Sequence, residues 1–104
     1  MSRLTRFLNF FRVNKSIAID LGTSNVLIYD KQKNKIVLNE PSVIVKNRKT
    51  GELVAVGKEA KEMEGKTAES TVVIRPLTEG VISDIDATRE MLSAFIRQIY
   101  GGSP

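Results

Sequence analysis

From Ser16 onward, apolar residues come in short runs separated by turn-forming residues. Ile17, Ala18 and Ile19 lead into Asp20 and the stretch Leu21-Gly22-Thr23-Ser24-Asn25. Val26-Leu27-Ile28-Tyr29 follows, then a polar turn over residues 30–34, then Ile36-Val37-Leu38. Three β-rich runs joined by short turns predict an antiparallel meander. Pro41 interrupts the pattern and Val43-Ile44-Val45 resumes it. Lys49-Thr50-Gly51-Glu52 has the composition of a hairpin turn and leads into Leu53-Val54-Ala55-Val56. Residues 58–64 carry Ala60 and Met63 among charges, which predicts a short surface helix stopped near Gly65. Residues 71–74 predict another strand, ended by Arg75-Pro76. Met91, Leu92, Phe95, Ile96 and Ile99 then recur at helical spacing and predict a helix over residues 87–100. Ser83, Asp84 and Asp86 are its candidate N-caps, and Gly101-Gly102 closes it. Its broad apolar face needs a sheet to cover, and the meander is the candidate.

The first 15 residues follow a different rule. Leu4, Phe7, Leu8 and Phe11 fall at i, i+3, i+4 and i+7, one stripe of a helix, with Arg6 opposite and Arg3 and Arg12 flanking. Phe10 points away from the stripe. This is the pattern of a short interfacial membrane helix, apolar residues in the acyl boundary and cations at anionic headgroups. One copy would bind weakly, and many copies on one assembly firmly. Packing of the stripe on the protein's own body, or an Arg-rich organellar presequence, accounts for the same pattern.

Charge sharpens the contrast. The chain of 104 residues has 16 Lys+Arg and 12 Asp+Glu, a formal charge of +4. Arg3, Arg6, Arg12 and Lys15 account for all of that excess, so the body from residue 16 is electrically balanced. A balanced body does not offer the basic face that nucleic acid requires, and no nucleic-acid partner is expected. With no cysteine and no histidine, disulfides, thiolate or imidazole metal sites, thiol nucleophiles and His-based triads are excluded. No apolar stretch approaches the roughly 20 residues of a spanning helix, and Arg and Asn interrupt the N-terminal apolar residues too often for a secretory signal. A cytosolic setting is the default expectation.

The stretch from Ile19 to Asn25 carries the candidate chemistry. A phosphate needs converging backbone N–H groups and short donors without bulk. Gly22 permits close approach, Thr23, Ser24 and Asn25 supply amides and polar tips, and Asp20 at a strand end can orient water around Mg²⁺. The same residue types fill ordinary hairpin turns, and the chain has neither a GxxxxGK[ST] loop nor a GxGxxG fingerprint. The charged residues of 58–66 suit a solvated helix face, and Asp84 and Asp86 suit capping better than paired catalysis.

Ile17-Ala18-Ile19-Asp20-Leu21-Gly22-Thr23-Ser24-Asn25-Val26-Leu27-Ile28-Tyr29 resembles the first phosphate-binding hairpin of the actin/Hsp70/sugar-kinase superfamily. Ile36-Val37-Leu38-Asn39-Glu40-Pro41-Ser42-Val43, Ala55-Val56-Gly57-Lys58-Glu59-Ala60-Lys61, Ile74-Arg75-Pro76-Leu77 and Gly80-Val81-Ile82-Ser83-Asp84 follow in the order and spacing of the MreB family of bacterial actin homologues. Hsp70 chaperones share the first motif but not the Ile-Arg-Pro-Leu and Gly-Val-Ile runs. The resemblance covers nearly the whole body, with Ser24 where the family often has Ala.

The resemblance implies an α/β, actin-like ATPase (ribonuclease H-like) fold, here incomplete. It assigns residues 1–14 to an amphipathic membrane-binding helix, 15–42 and 77–104 to part of subdomain IA, and 43–76 to the small subdomain IB used in filament contacts. It implies ATP and Mg²⁺ as cofactors, with Gly22, Thr23, Ser24 and Asn25 at the phosphates and Asp20 near the metal. Its expected partners are further copies of itself in paired protofilaments, the inner face of the cytoplasmic membrane and the cell-wall elongation machinery. It also implies that this chain is the opening third of the fold, without the second phosphate hairpin, the adenosine site or the catalytic acid. The chain alone is then expected neither to hold ATP tightly nor to hydrolyse it, and to leave part of its last helix exposed. An Hsp70-like chaperone ATPase fragment and a non-enzymatic membrane-binding interaction module are the alternative expectations.

Overall fold

The computed structural model describes residues 16–66 and 69–101. The expected helix over residues 1–14, with its Leu4, Phe7, Leu8 and Phe11 stripe, lies outside the described residues. The meander forms as three antiparallel strands, β1 (Ile17–Leu21), β2 (Asn25–Asp30) and β3 (Lys35–Pro41), in the order β1-β2-β3. Period-two alternation sets its faces: Ile17, Ile19, Val26, Ile28 and Leu38 are buried on one side. Strand β3 runs through Pro41, paired with Asn25, so the proline does not end the strand as the sequence suggests. It is tolerated because β3 is an edge strand, where a missing N–H costs no ladder bond.

The chain changes sheet at Ser42-Val43. Strands β4 (Ile44–Asn47), β5 (Leu53–Val56) and β6 (Thr71–Ile74) make a second antiparallel sheet in the order β5-β4-β6. Helix α1 (Gly57–Met63) follows β5 directly and buries Ala60 against Val43, Val45 and Ala55. Its charged side is exposed as expected, except that Glu64 just beyond it binds Arg75 through both carboxylate oxygens, at 2.7 and 2.6 Å. A small hairpin of β7 (Leu77–Thr78) and β8 (Val81–Ile82), which the sequence pattern did not reveal, leads to helix α2 (Ile85–Tyr100).

Helix α2 organises the core. Of the three candidate caps, Asp84 is the one used: its carboxylate accepts the Ala87 N–H at 2.9 Å, while Asp86 lies inside the first turn. Gly101 ends the helix with φ 73°, a conformation that costs a Cβ-bearing residue about 1–2 kcal/mol. Met91, Leu92 and Phe95 are fully buried against Ile17, Ile19, Val26, Ile28, Leu38 and Ile44. The meander covers the centre of the stripe, and part of α2 stays exposed as expected: Ile96 and Ile99 are half-buried. The exposed large apolar groups of α2 lie at its two ends, Ile85 and Tyr100.

Candidate functional site

Strands β1 and β2 stay in register from Ile17 opposite Asp30 to Leu21 opposite Val26, so residues 22–25 close the hairpin. The Gly22 N–H donates to the Asn25 carbonyl at 3.0 Å. A Cβ at residue 22 would lie 2.8 Å from that same carbonyl oxygen, so only glycine fits the closed turn. Ser42, wholly buried at the end of β3, clamps the turn from outside. Its hydroxyl donates to the Gly22 carbonyl at 2.7 Å and its N–H to the Ser24 carbonyl at 2.9 Å. The sequence singled out Ser42 only as part of a motif; that a serine is buried beside a turn 20 residues away is a tertiary fact.

Two of the expected donors already have partners. The Thr23 hydroxyl accepts the Gly80 N–H from the β7–β8 turn, which leaves its own proton free to donate. Asn25 Nδ2 donates to Asn39 Oδ1 at 2.9 Å. Thr23, Ser24 and Asn25 are exposed, and among the described residues the amides of Thr23 and Ser24 enter no backbone hydrogen bond. Two unused amides beside a rigid glycine turn are the elements of an anion cradle, and the turn fits a phosphate. Asp20 is exposed opposite Leu27 on the strand that feeds the turn. Among the described residues no three carboxylates gather as a metal cage, so Asp20 fits Mg²⁺ only as an ion that keeps its water shell.

At the other end of β2 lies a second polar cluster. Asp30 is buried, and its Oδ1 accepts the N–H groups of Gln32 and Lys33 at 2.9 and 3.1 Å. Its Oδ2 accepts the Tyr100 hydroxyl at 2.8 Å, pinning the end of α2 to the β2–β3 turn. The Lys33 backbone bond, then the Tyr100 bond, hold Asp30 below the usual carboxylate range. Burial, then the bond to Asp30, push Tyr100 up to about 12. The phenol's contribution to stability is thus complete below its ordinary value and is lost as pH rises through about 12. Tyr100→Phe should cost about 1 kcal/mol near neutrality, discounted for the solvent exposure of the ring. In urea unfolding, the gap between parent and variant should close on the alkaline side; an unchanged gap there would remove the pin.

Residues 14–103 match the family model of the MreB/Mbl protein. The chain belongs to the MreB/Mbl family. Among its relatives, the cell shape-determining protein Mbl of Bacillus cereus is 53% identical over 85 residues, covering 82% of this chain and 25% of its own length. The cell shape-determining protein MreB of Escherichia coli is 42% identical over 104 residues, covering 96% of this chain and 29% of its own. The crystal structure of MreB5 of Spiroplasma citri bound to AMPPNP has TM-score 0.73 and 40% identity, over 85% of this chain and 26% of that one. The ADP-bound form gives TM-score 0.71 and 41% identity, over 79% and 25%. The fold is therefore the actin-like α/β fold of MreB in part, and the chain spans about a quarter of the length of these relatives. The Hsp70-like alternative gives way to this match.

Proposed function

We propose that this chain is the N-terminal part of a cell shape-determining, actin-like protein that binds ATP with Mg²⁺. In this reading it polymerises into membrane-associated filaments, as paired protofilaments on the inner face of the cytoplasmic membrane, and guides the cell-wall elongation machinery. The observation that carries the nucleotide reading is the turn of residues 22–25, with two unused amides held by Ser42 and by Gly80. The two Spiroplasma citri MreB5 structures, bound to AMPPNP and to ADP, support it, and the cell shape-determining relatives support the role in cell shape.

The chain's own residues would orient phosphate oxygens through the Thr23 and Ser24 amides and the Thr23 and Ser24 hydroxyls. Asp20 would hold water in the shell of the metal, which supplies charge neutralisation at the phosphates when bound. A nucleotide commonly sits between lobes, so one partial lobe offers few contacts to base and ribose.

The test is calorimetric titration of Mg-ATP into the full-length parent protein and into this chain. The parent should bind, Thr23→Val with Ser24→Ala should weaken it at least about tenfold through lost charge-assisted bonds, and the isolated chain should give no measurable heat. Undiminished affinity in the double variant would refute the assignment of the turn.

A further inference from the structure

The turn between β2 and β3 brings Lys31, Lys33 and Lys35 together within five residues, all three exposed. The neighbouring acid, Asp30, is buried with its two oxygens taken by Gln32, Lys33 and Tyr100; of the three lysines only Lys33 feels its charge, with its ammonium 5.9 Å from the centre of the Tyr100 ring. Elsewhere Lys46, Lys58, Arg75 and Arg89 each lie within 4.0 Å of a carboxylate. Among the described residues none of the three turn lysines has such a partner. The turn is also held in shape: Asn34 is left-handed with φ 53°, and its side chain accepts the Tyr29 hydroxyl.

Two neighbours give this cationic end its character. The Lys31 N–H donates to the Ser16 carbonyl at 2.7 Å, so the segment bearing Arg3, Arg6, Arg12 and Lys15 joins the body beside the turn. Ile36, next to Lys35, is 58% exposed and adds an aliphatic group to the rim. Exposed cations without a carboxylate in ion-pair contact, around an exposed aliphatic side chain, suit a lipid headgroup layer, where cations meet phosphates and the aliphatic group enters the acyl boundary. A polyanion such as nucleic acid would use the lysines but not Ile36.

We infer that the β2–β3 turn is a second lipid-contacting surface, which seats the body on an anionic bilayer next to the N-terminal segment; this rests on the proposed membrane association. Each lysine near such a surface changes affinity about fivefold. The turn also sets orientation. Strand β2 is six residues long from Asn25 to Asp30, so the near end of the turn at residues 22–25 stands about 17 Å from the lipid-facing end.

The experiment is co-sedimentation of the full 104-residue chain with vesicles of equal parts phosphatidylglycerol and phosphatidylcholine at low salt, with pure phosphatidylcholine as control. Lys31→Gln, Lys33→Gln and Lys35→Gln together should raise the lipid needed for half-binding by roughly a hundredfold. Lys49→Gln, Lys61→Gln and Lys66→Gln remove the same charge elsewhere and should change it little. Far-ultraviolet circular dichroism should match the parent in both, since all six side chains are exposed. Equal losses in the two triple variants would reduce the effect to net charge and overturn the inference. So would unchanged vesicle binding in the first variant, with or without lost binding to duplex DNA. Phe7→Glu with Phe11→Glu separates the two readings. If it abolishes binding while the turn variant keeps it, the N-terminal anchor stands and the turn falls; if the turn variant alone loses binding, the reverse holds.

Discussion

Phe95→Ala should cost this chain about 3–5 kcal/mol, the range for emptying a buried aromatic site. The side chain is fully buried and belongs to the cluster that joins α2 to the meander. The same cluster takes in Ile44 of the second sheet, and the ring also abuts the start of α1, where a Cβ built on Gly57 would sit 3.0 Å from Phe95 Cε1. One ring therefore fills the junction of both sheets, where surrounding strands are fixed by their ladders and cannot collapse into the space. A domain of this length has about 5–15 kcal/mol of total stability, so the variant should lose a large share of it. Urea unfolding followed by circular dichroism measures the loss, and Phe95→Leu, which keeps much of the volume, should lose far less. A fall under about 1 kcal/mol for Phe95→Ala would mean that α2 does not pack where the ring is placed.

What made α2 legible is that its signals are local and agree. Met91, Leu92 and Phe95 supply the period, Asp84 the cap and Gly101 the stop, all within 18 residues. The meander was legible for the same reason, since each strand alternates over several residues between turns of typical composition. The β7–β8 hairpin was not, because two-residue strands cannot show a period, and its turn places a non-glycine residue, Glu79, at φ 51°. The continuation of β3 through Pro41 was hidden for a different reason: whether proline breaks a strand depends on whether that strand is an edge, which is a property of the assembled sheet. The candidate turn was legible as a composition, and Gly22 as its hinge of close approach. The sequence could not say that Thr23 and Asn25 would spend their side chains on Gly80 and Asn39, or that Ser42 would hold the turn. Those contacts cross 57, 14 and 20 residues, and no spacing rule reports them.

Gly22→Ala should be the most disruptive change at the turn itself. The added methyl would meet the Asn25 carbonyl oxygen at 2.8 Å, and that oxygen is backbone, already fixed by the Gly22 N–H at 3.0 Å. Neither atom can move without opening the turn, and opening it also strains the Ser42 bonds to Gly22 and Ser24. Forcing a methylene-sized group into packed surroundings costs typically about 1–3 kcal/mol, and each kcal/mol lowers the melting temperature of a domain this small by about 4–8 °C. Ser24→Ala, one exposed position with no such contact, should leave the melting temperature nearly unchanged and so isolates the steric effect. In the full-length parent the same Gly22→Ala should lower Mg-ATP affinity more than Ser24→Ala does, because it displaces the Thr23 and Ser24 amides together while the serine change removes one hydroxyl. Equal affinities for the two variants would show that the amides of this turn do not carry the phosphate.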